Sequence, residues 1–289
     1  LNLLELYVSK LKTINVKDMT GMFLNCKNLN AIDVKNFNTK NVNKMARLFE
    51  GCLSVTSLDV SNFDTSQVKN MSHMFDNCAL IRDLNIKNFK TNNCEDLQGM
   101  FHLCSRVTSL DVSGFDTSKV IDMSFLFDNC GSIKSLDLSN FKTGNVQTME
   151  GMFRYCNSLS SLDLSKFDTS KVTDMSAMFE YNLQLKTIDI SSFDTSEVTD
   201  MYKMFSLCLK LSHLDLRKFN TEKVKDMGLM FQNCEQLEYL DLSSFKTKSL
   251  TDMFGMFESC FQLTSVDLSN FDTKLVTDMS RLFINVYPM

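Results

Sequence analysis

Ten cysteines, three histidines and a regular series of aspartates are the residues of this chain with chemistry to offer. Nine of the cysteines, from Cys26 to Cys260, occupy one position of a repeating pattern; Cys94 stands apart, where the pattern otherwise has a core valine. No C-x-x-C pair occurs, and one thiol per repeat is poor spacing for a closed zinc site, which gathers its ligands in one place. Neighbouring cysteines would come within disulfide range on Cα distance alone. Their spacing follows a buried face and not a pairing scheme, so the expectation is free thiols that fill core space. His73, His102 and His213 fall at three different repeat positions and are expected not to converge. Spacing supports neither a Ser-His-Asp nor a Cys-His arrangement, and the glycines, scattered singly, form no phosphate loop. No enzyme, no cofactor and no metal site is expected.

The aspartates are more informative. Nine of them, from Asp33 to Asp267, lie between two inward-facing positions and must point outward; Tyr7 and Asn85 are the exceptions. Stacked carboxylates repel, so something must offset the charge. Flanking hydroxyls such as Ser161 and Ser165 around Asp163 can donate to it and make a polar ladder. A calcium site fits less well, because that ion takes about six to eight oxygens at once. Two residues before the aspartate most repeats have Ser or Thr, but two adjacent ones have His213 and Tyr239, beside Asp215 and Asp241. Arg217 then replaces the usual serine. Such side chains anchor interfaces, so His213, Asp215, Arg217, Tyr239 and Asp241 are the candidate binding residues, expected on a concave face. Neutral variation on a solvated face is the competing explanation. The convex-side apolar exceptions Phe125, Tyr202 and Phe254 are the next place to look.

These residues are positioned by a repeat of 26 residues, clearest in CNSLSSLDLSKFDTSKVTDMSAMFEY, 156–181. Leu159, Leu162 and Leu164 form L-x-x-L-x-L, whose last two leucines alternate with polar residues as a strand does. Phe167 and Thr169 belong to a turn, the threonine hydroxyl expected to bond its own local backbone. Met175, Met178, Phe179 and Asn182, the last where other coils have cysteine, then fall at i, i+3, i+4 and i+7. That spacing predicts a short amphipathic helix with Asp174 as its N-cap. The fold class expected is therefore α/β: a solenoid of about eleven coils, each a short parallel strand plus a short helix. One coil cannot bury a core alone, so the coils must stack, as a single continuous domain over 1–289. Two phenylalanine columns, Phe37 to Phe271 and Phe23 to Phe283, should stack at about 4.8 Å, the interstrand spacing. The last coil runs to Asn285, Val286 and Tyr287, and Pro288 is the only proline.

With 30 Lys plus Arg against 35 Asp plus Glu, the chain has no basic nucleic-acid footprint. No apolar run approaches the ~20 residues of a membrane span. Leu1 begins in mid-coil, so a piece of a longer protein is expected, from which a targeting segment is missing.

The stretch LDLSKFDTSKVTDMSAMF, 162–179, resembles the BspA-like leucine-rich repeats of bacterial surface proteins. It is most similar to the subgroup with the signature LDLSxFDTSxVTDMSxMF, common in surface lipoproteins and wall-anchored proteins, and the resemblance covers essentially the whole chain. It implies a leucine-rich-repeat solenoid, a place at the cell surface or in the secreted fraction, and adhesion or host-protein binding. It transfers no catalytic residues, and no signal, lipobox or wall anchor is present in this chain. The function expected is non-enzymatic recognition of a protein or glycan on another cell or matrix; a structural stalk or surface-masking repeat is the alternative. A binder should break its own repeat on one face, whereas a spacer need not.

Overall fold

The alternation in the leucine segment buries Leu162 and Leu164 and leaves Ser161 and Asp163 outside. The computed structural model describes residues 3–286; Tyr287 and Pro288 lie outside the described residues. The chain divides into two compact units, Leu1–Asn145 and Val146–Met289. In the first unit β1 (Ser57–Leu58) pairs in parallel with β2 (Asp83–Leu84), Ser57 opposite Asp83. In the second, β3 (Ser161–Asp163) pairs in parallel with β4 (Thr187–Asp189), Asp163 opposite Asp189. The register advances by 26 residues in both, the length of the repeat.

The second half of each coil is not a helix; among the described residues no helix occurs. Met178 N–H bonds Met175 O at 3.3 Å and Glu180 N–H bonds Ala177 O at 3.0 Å, both i to i+3 turns. The alternate residues donate to the next coil: Met175 to Asp200 O, Ala177 to Tyr202 O, Phe179 to Met204 O and Tyr181 to Ser206 O, at 2.7–3.1 Å. Ala177 and Tyr181 have φ of +52° and +63°, and the equivalent residues of the other coils match them. A helix needs an unbroken run of negative φ, whereas a type II turn needs a positive φ at its third residue. Consecutive turns place Met175, Met178 and Phe179 inward at the spacing of a helix face, which is why the pattern imitates one. Asp174 caps a turn instead: its Oδ1 accepts Ser176 N–H at 2.8 Å and Ser176 Oγ–H at 2.6 Å.

The recurring threonine also works between coils, not within its own turn. Thr169 Oγ1 donates to Asp194 O at 2.8 Å and accepts Asp194 N–H at 2.8 Å. A side-chain hydroxyl thus replaces two backbone ladder groups, and Thr169 is buried. Thr39 does the same with Asp64 in the first unit.

The phenylalanine columns form the core. Phe179 is fully buried and its ring stands 5.9 Å from Phe153 and 5.4 Å from Phe205, wider than the interstrand spacing because the rings are offset-stacked. All ten cysteines are free, and nine are buried. Column thiols donate to the carbonyl of the phenylalanine one coil back, Cys104 Sγ to Phe75 O at 3.1 Å and Cys208 Sγ to Phe179 O at 3.2 Å. Burial pushes Cys104 and Cys208 up to about 12. Asn182 takes the same place with two donations, to Phe153 O and Phe179 O, both at 2.8 Å.

Candidate functional site

The outward face of the strand segment is built from one motif. In the second unit Asp163, Asp189, Asp215, Asp241 and Asp267 each accept the backbone N–H two residues on, at 2.9–3.1 Å. The serine at that position also donates its hydroxyl in places: Ser61 to Asp59 and Ser113 to Asp111, both at 2.6 Å. The hydroxyls do serve the carboxylates, but each comes from the second residue after the aspartate and the bonds stay inside one coil, so they do not run as a ladder from coil to coil. Side-chain hydrogen bonds from Ser165 and Ser243, then backbone ones, hold Asp163 and Asp241 below the usual carboxylate range.

Arg217 changes this motif. Its Nε donates to Asp215 Oδ1 at 2.9 Å and its Nη2 to Asp215 Oδ2 at 2.7 Å, a two-pronged pair that drives Asp215 far below its ordinary value. The carboxylate is neutralised within its own coil. His213, Asp215, Arg217, Tyr239 and Asp241 line one cleft of about 290 Å³. A second cleft of about 570 Å³ lies on the other side of Tyr239 and Asp241, reaching Asp267 and Asn270. Tyr239 stands between the two, 59 % exposed, and its backbone bridges Ser265. All five residues singled out in the sequence meet here. Phe125, Tyr202 and Phe254 lie elsewhere, on the turn segment, where Phe125 faces His102 at 6.3 Å and Lys203 and Arg281 stand over Tyr202 and Phe254.

The turn segment of the first unit overturns one expectation: His73 and His102 converge. His73 Nδ1 lies 2.8 Å from Asp76 Oδ2, and His102 Nδ1 lies 3.0 Å from Asp76 Oδ1. His102 Nε2 also reaches Asp128 Oδ2 at 3.2 Å, and the Asp128 side chain is 1 % exposed. Burial opposes charge on His102, but its bonds to Asp128 and Asp76 outweigh this and raise it to about 9. The bond to Asp76 likewise raises His73. Repeat arithmetic contains the signal: His102 follows Asp76 by one full coil of 26 residues, and His73 precedes it by three, one turn. In the second unit the corresponding acid, Glu180, is met by Lys203 at 3.1 Å and Arg154 at 3.9 Å.

What this geometry belongs to is a leucine-rich, turn-laddered solenoid repeat. The chain matches the family described as "Mycoplasma protein of unknown function, DUF285", in overlapping stretches 2–109, 53–161, 80–191, 126–215, 157–265 and 208–288, and it belongs to that family. No curated relative matches the sequence. Among solved structures it is similar to a leucine-rich repeat protein of Bacteroides ovatus, with 18 % identity over 88 % of this chain and 70 % of that one at a TM-score of 0.40. A leucine-rich repeat protein of Eubacterium ventriosum gives 18 % identity, 86 % and 57 % coverage and a TM-score of 0.41. A leucine-rich cell surface protein of Faecalibacterium prausnitzii gives 17 %, 83 % and 81 %, and 0.29. At these scores the likenesses carry no argument, and the fold rests on the coil geometry above. Among the described residues no helix is long and apolar enough to cross a membrane.

Proposed function

We propose that this chain is a non-enzymatic binding module of a bacterial surface protein, of the BspA-like kind that its LDLSKFDTSKVTDMSAMF stretch resembles. It acts at the cell surface or in the secreted fraction. It takes a protein or glycan on the strand face of its second unit, with Tyr239 at the centre of the contact. One observation carries the reading: the face departs from its repeat at His213, Arg217 and Tyr239, and these departures line a single cleft with Asp215 and Asp241. Tyrosine and arginine anchor interfaces out of proportion to their number. Clefts walled by carboxylates on both sides of an exposed ring suit a partner that offers hydroxyls or basic groups.

The experiment is capture of surface and matrix components by the intact chain, set beside the variant His213→Ser, Arg217→Ser, Tyr239→Ser. Loss of the captured partner by the variant, with unfolding unchanged, supports the reading. Equal capture by both moves the contact off this face. No capture by either favours the stalk, for which the Asp–Ser motif that recurs in most of the other coils is sufficient.

A further inference from the structure

The turn segment of the first unit carries a constellation for which binding on the strand face has no use. Glu50, His73 and Asp76 each offer one ligand atom, and the three atoms lie within 4.8 Å of one another. They come from two adjacent coils: Glu50 and Asp76 stack one repeat apart, and His73 sits one turn before Asp76. We propose that they form a binding site for a divalent transition-metal ion, zinc above all. One imidazole nitrogen and two carboxylate oxygens are a borderline donor set that suits zinc better than calcium or magnesium, which want oxygen alone. Three protein ligands leave a position for water. Around zinc bound at about 2.0–2.1 Å the donor atoms stand roughly 3.3 Å apart, so His73 Nδ1 and Asp76 Oδ2, 2.8 Å apart, must open slightly as the ion enters between them.

A second observation stands beside the ligand set: two of the three ligands are held from behind, as metal ligands are, and the third offers a buried oxygen without a hydrogen bond. His73 Nε2 faces Gln98 Oε1 at 3.3 Å. An amide oxygen only accepts, which favours the proton on Nε2 and leaves Nδ1, 2.8 Å from Asp76 Oδ2, as the nitrogen for the ion. Asp76 offers Oδ2 to the site while Oδ1 is occupied by His102, which Asp128 holds in turn. Glu50 Oε2 is buried and makes no hydrogen bond; Arg47 Nε is 2.8 Å away but out of line, on a half-exposed side chain that can swing clear. Room for the imidazole comes from Gly99, where a Cβ would lie 2.7 Å from His73 Nδ1. On binding, the ion takes the place of the proton that His73 shares with Asp76, and that proton leaves to solvent.

The test uses the whole chain, untagged and folded, titrated with zinc chloride by calorimetry and with cobalt(II) as a visible-absorption probe. The expected result is one equivalent of zinc and cobalt bands in the visible that zinc displaces. His73→Asn keeps a residue that accepts the positive φ of +54° at this position, and is expected to weaken zinc at least tenfold. Gln98→Ala, which touches no ion, is expected to weaken it by roughly 10–100-fold. Should His73→Asn fail to fold, Glu50→Gln decides instead, since it removes a ligand charge from a partly exposed position. No zinc bound by the wild type, or equal affinity in wild type and the folded ligand variant, overturns the proposal and leaves an ion-pair network only.

Discussion

The two units are made of the same repeat, yet they fill two of its columns differently. At the residue that opens the turn segment the first unit reads Asp18, Lys44, Asn70, Asp96 and Asp122, whereas the second reads Thr148 followed by five aspartates, Asp174 to Asp278. In the first unit the like charges are interrupted only in part: Lys44 lies 3.6 Å from Asp18 and Asn70 Nδ2 donates to Asp96 Oδ2 at 2.8 Å, but Asp96 and Asp122 adjoin, and burial together with Asp122 raises Asp96. In the second nothing interrupts them, and burial together with the neighbouring aspartates raises Asp200 and Asp226. In the second column buried acids are met by imidazoles in one unit and by Lys203 and Arg154 in the other. Within each unit the backbone ladder is the same. Nearly every coil fills the column with a side-chain oxygen for the N–H two residues on, Lys44 being the exception; Asn70 supplies it to Ser72 and Asp226 supplies it to Gly228, both at 2.8 Å. The fold accepts an acid, an amide or, at Lys44, a base in that column, so charge choices in these columns are where function and tuning enter.

The largest effect that separates shared from divergent features should come from alkali. Cys104 in the first unit and Cys208 in the second sit at about 12, against an ordinary 9.0. A thiol that keeps its proton in the fold but loses it on unfolding costs nothing below about pH 9, then about 1.4 kcal/mol for each further unit. Summed over several thiols this approaches the 5–15 kcal/mol of a typical domain, roughly. Stability should fall between pH 9 and 12, and amide-exchange protection should vanish in both units together. Protection that persists in one unit at pH 11 would mean that its thiols are not buried as described.

Next come the shared rings. Phe101→Ala and Phe179→Ala should each cost about 3–5 kcal/mol in a urea titration, because each ring is fully buried between two others. A loss under about 1 kcal/mol at either would show that the core is not common to the two units.

Asn182 sharpens the comparison of one column position with its neighbours. Its Oδ1 is buried without a partner, while Nδ2 serves two carbonyls. Asn182→Ala should destabilise by about 1–3 kcal/mol by stripping those carbonyls of a donor. Asn182→Cys, which restores the repeat, should be more stable than the alanine variant; the opposite order would deny the thiol its place as a donor to the phenylalanine carbonyl.

The smallest effect tests the charge argument itself. Asp226→Asn should stabilise by a few tenths to about 1 kcal/mol, since an amide oxygen serves the turn and a half-screened like charge disappears. Asp96→Asn should bring no such gain, because Asn70 already donates to the carboxylate oxygen that would be lost. Equal changes at the two sites would remove the distinction between the units.

Much of this was legible in the sequence. The repeat length, the two phenylalanine columns, the outward aspartates and the grouping of His213, Arg217 and Tyr239 all follow from counting and alternation. The helix did not, because i, i+3, i+4 spacing reports which side chains face inward and not which carbonyl each N–H meets. The missing signal was glycine: Gly21, Gly99, Gly151 and Gly255 all occupy the column of Ala177, where φ is positive, and Gly51 the column of Tyr181. The threonine hydroxyl was misread for a related reason, since a bond to the residue 25 positions on has no local signature. The histidines were legible in principle and were missed by treating different columns as different places, although columns three residues apart share a turn.

The account stands most directly on the affinity of a captured surface or matrix partner for three forms of the intact chain, measured side by side. These are the wild type, the His213→Ser, Arg217→Ser, Tyr239→Ser variant of the strand face, and an Arg154→Ser, Tyr181→Ser variant of the turn segment in the same unit. The strand-face variant should unfold within about 0.5 kcal/mol per site of wild type, as exposed substitutions do. It should bind at least tenfold more weakly, while the turn-segment variant binds as wild type does. Undiminished binding by the strand-face variant, or loss confined to the turn-segment variant, would contradict it.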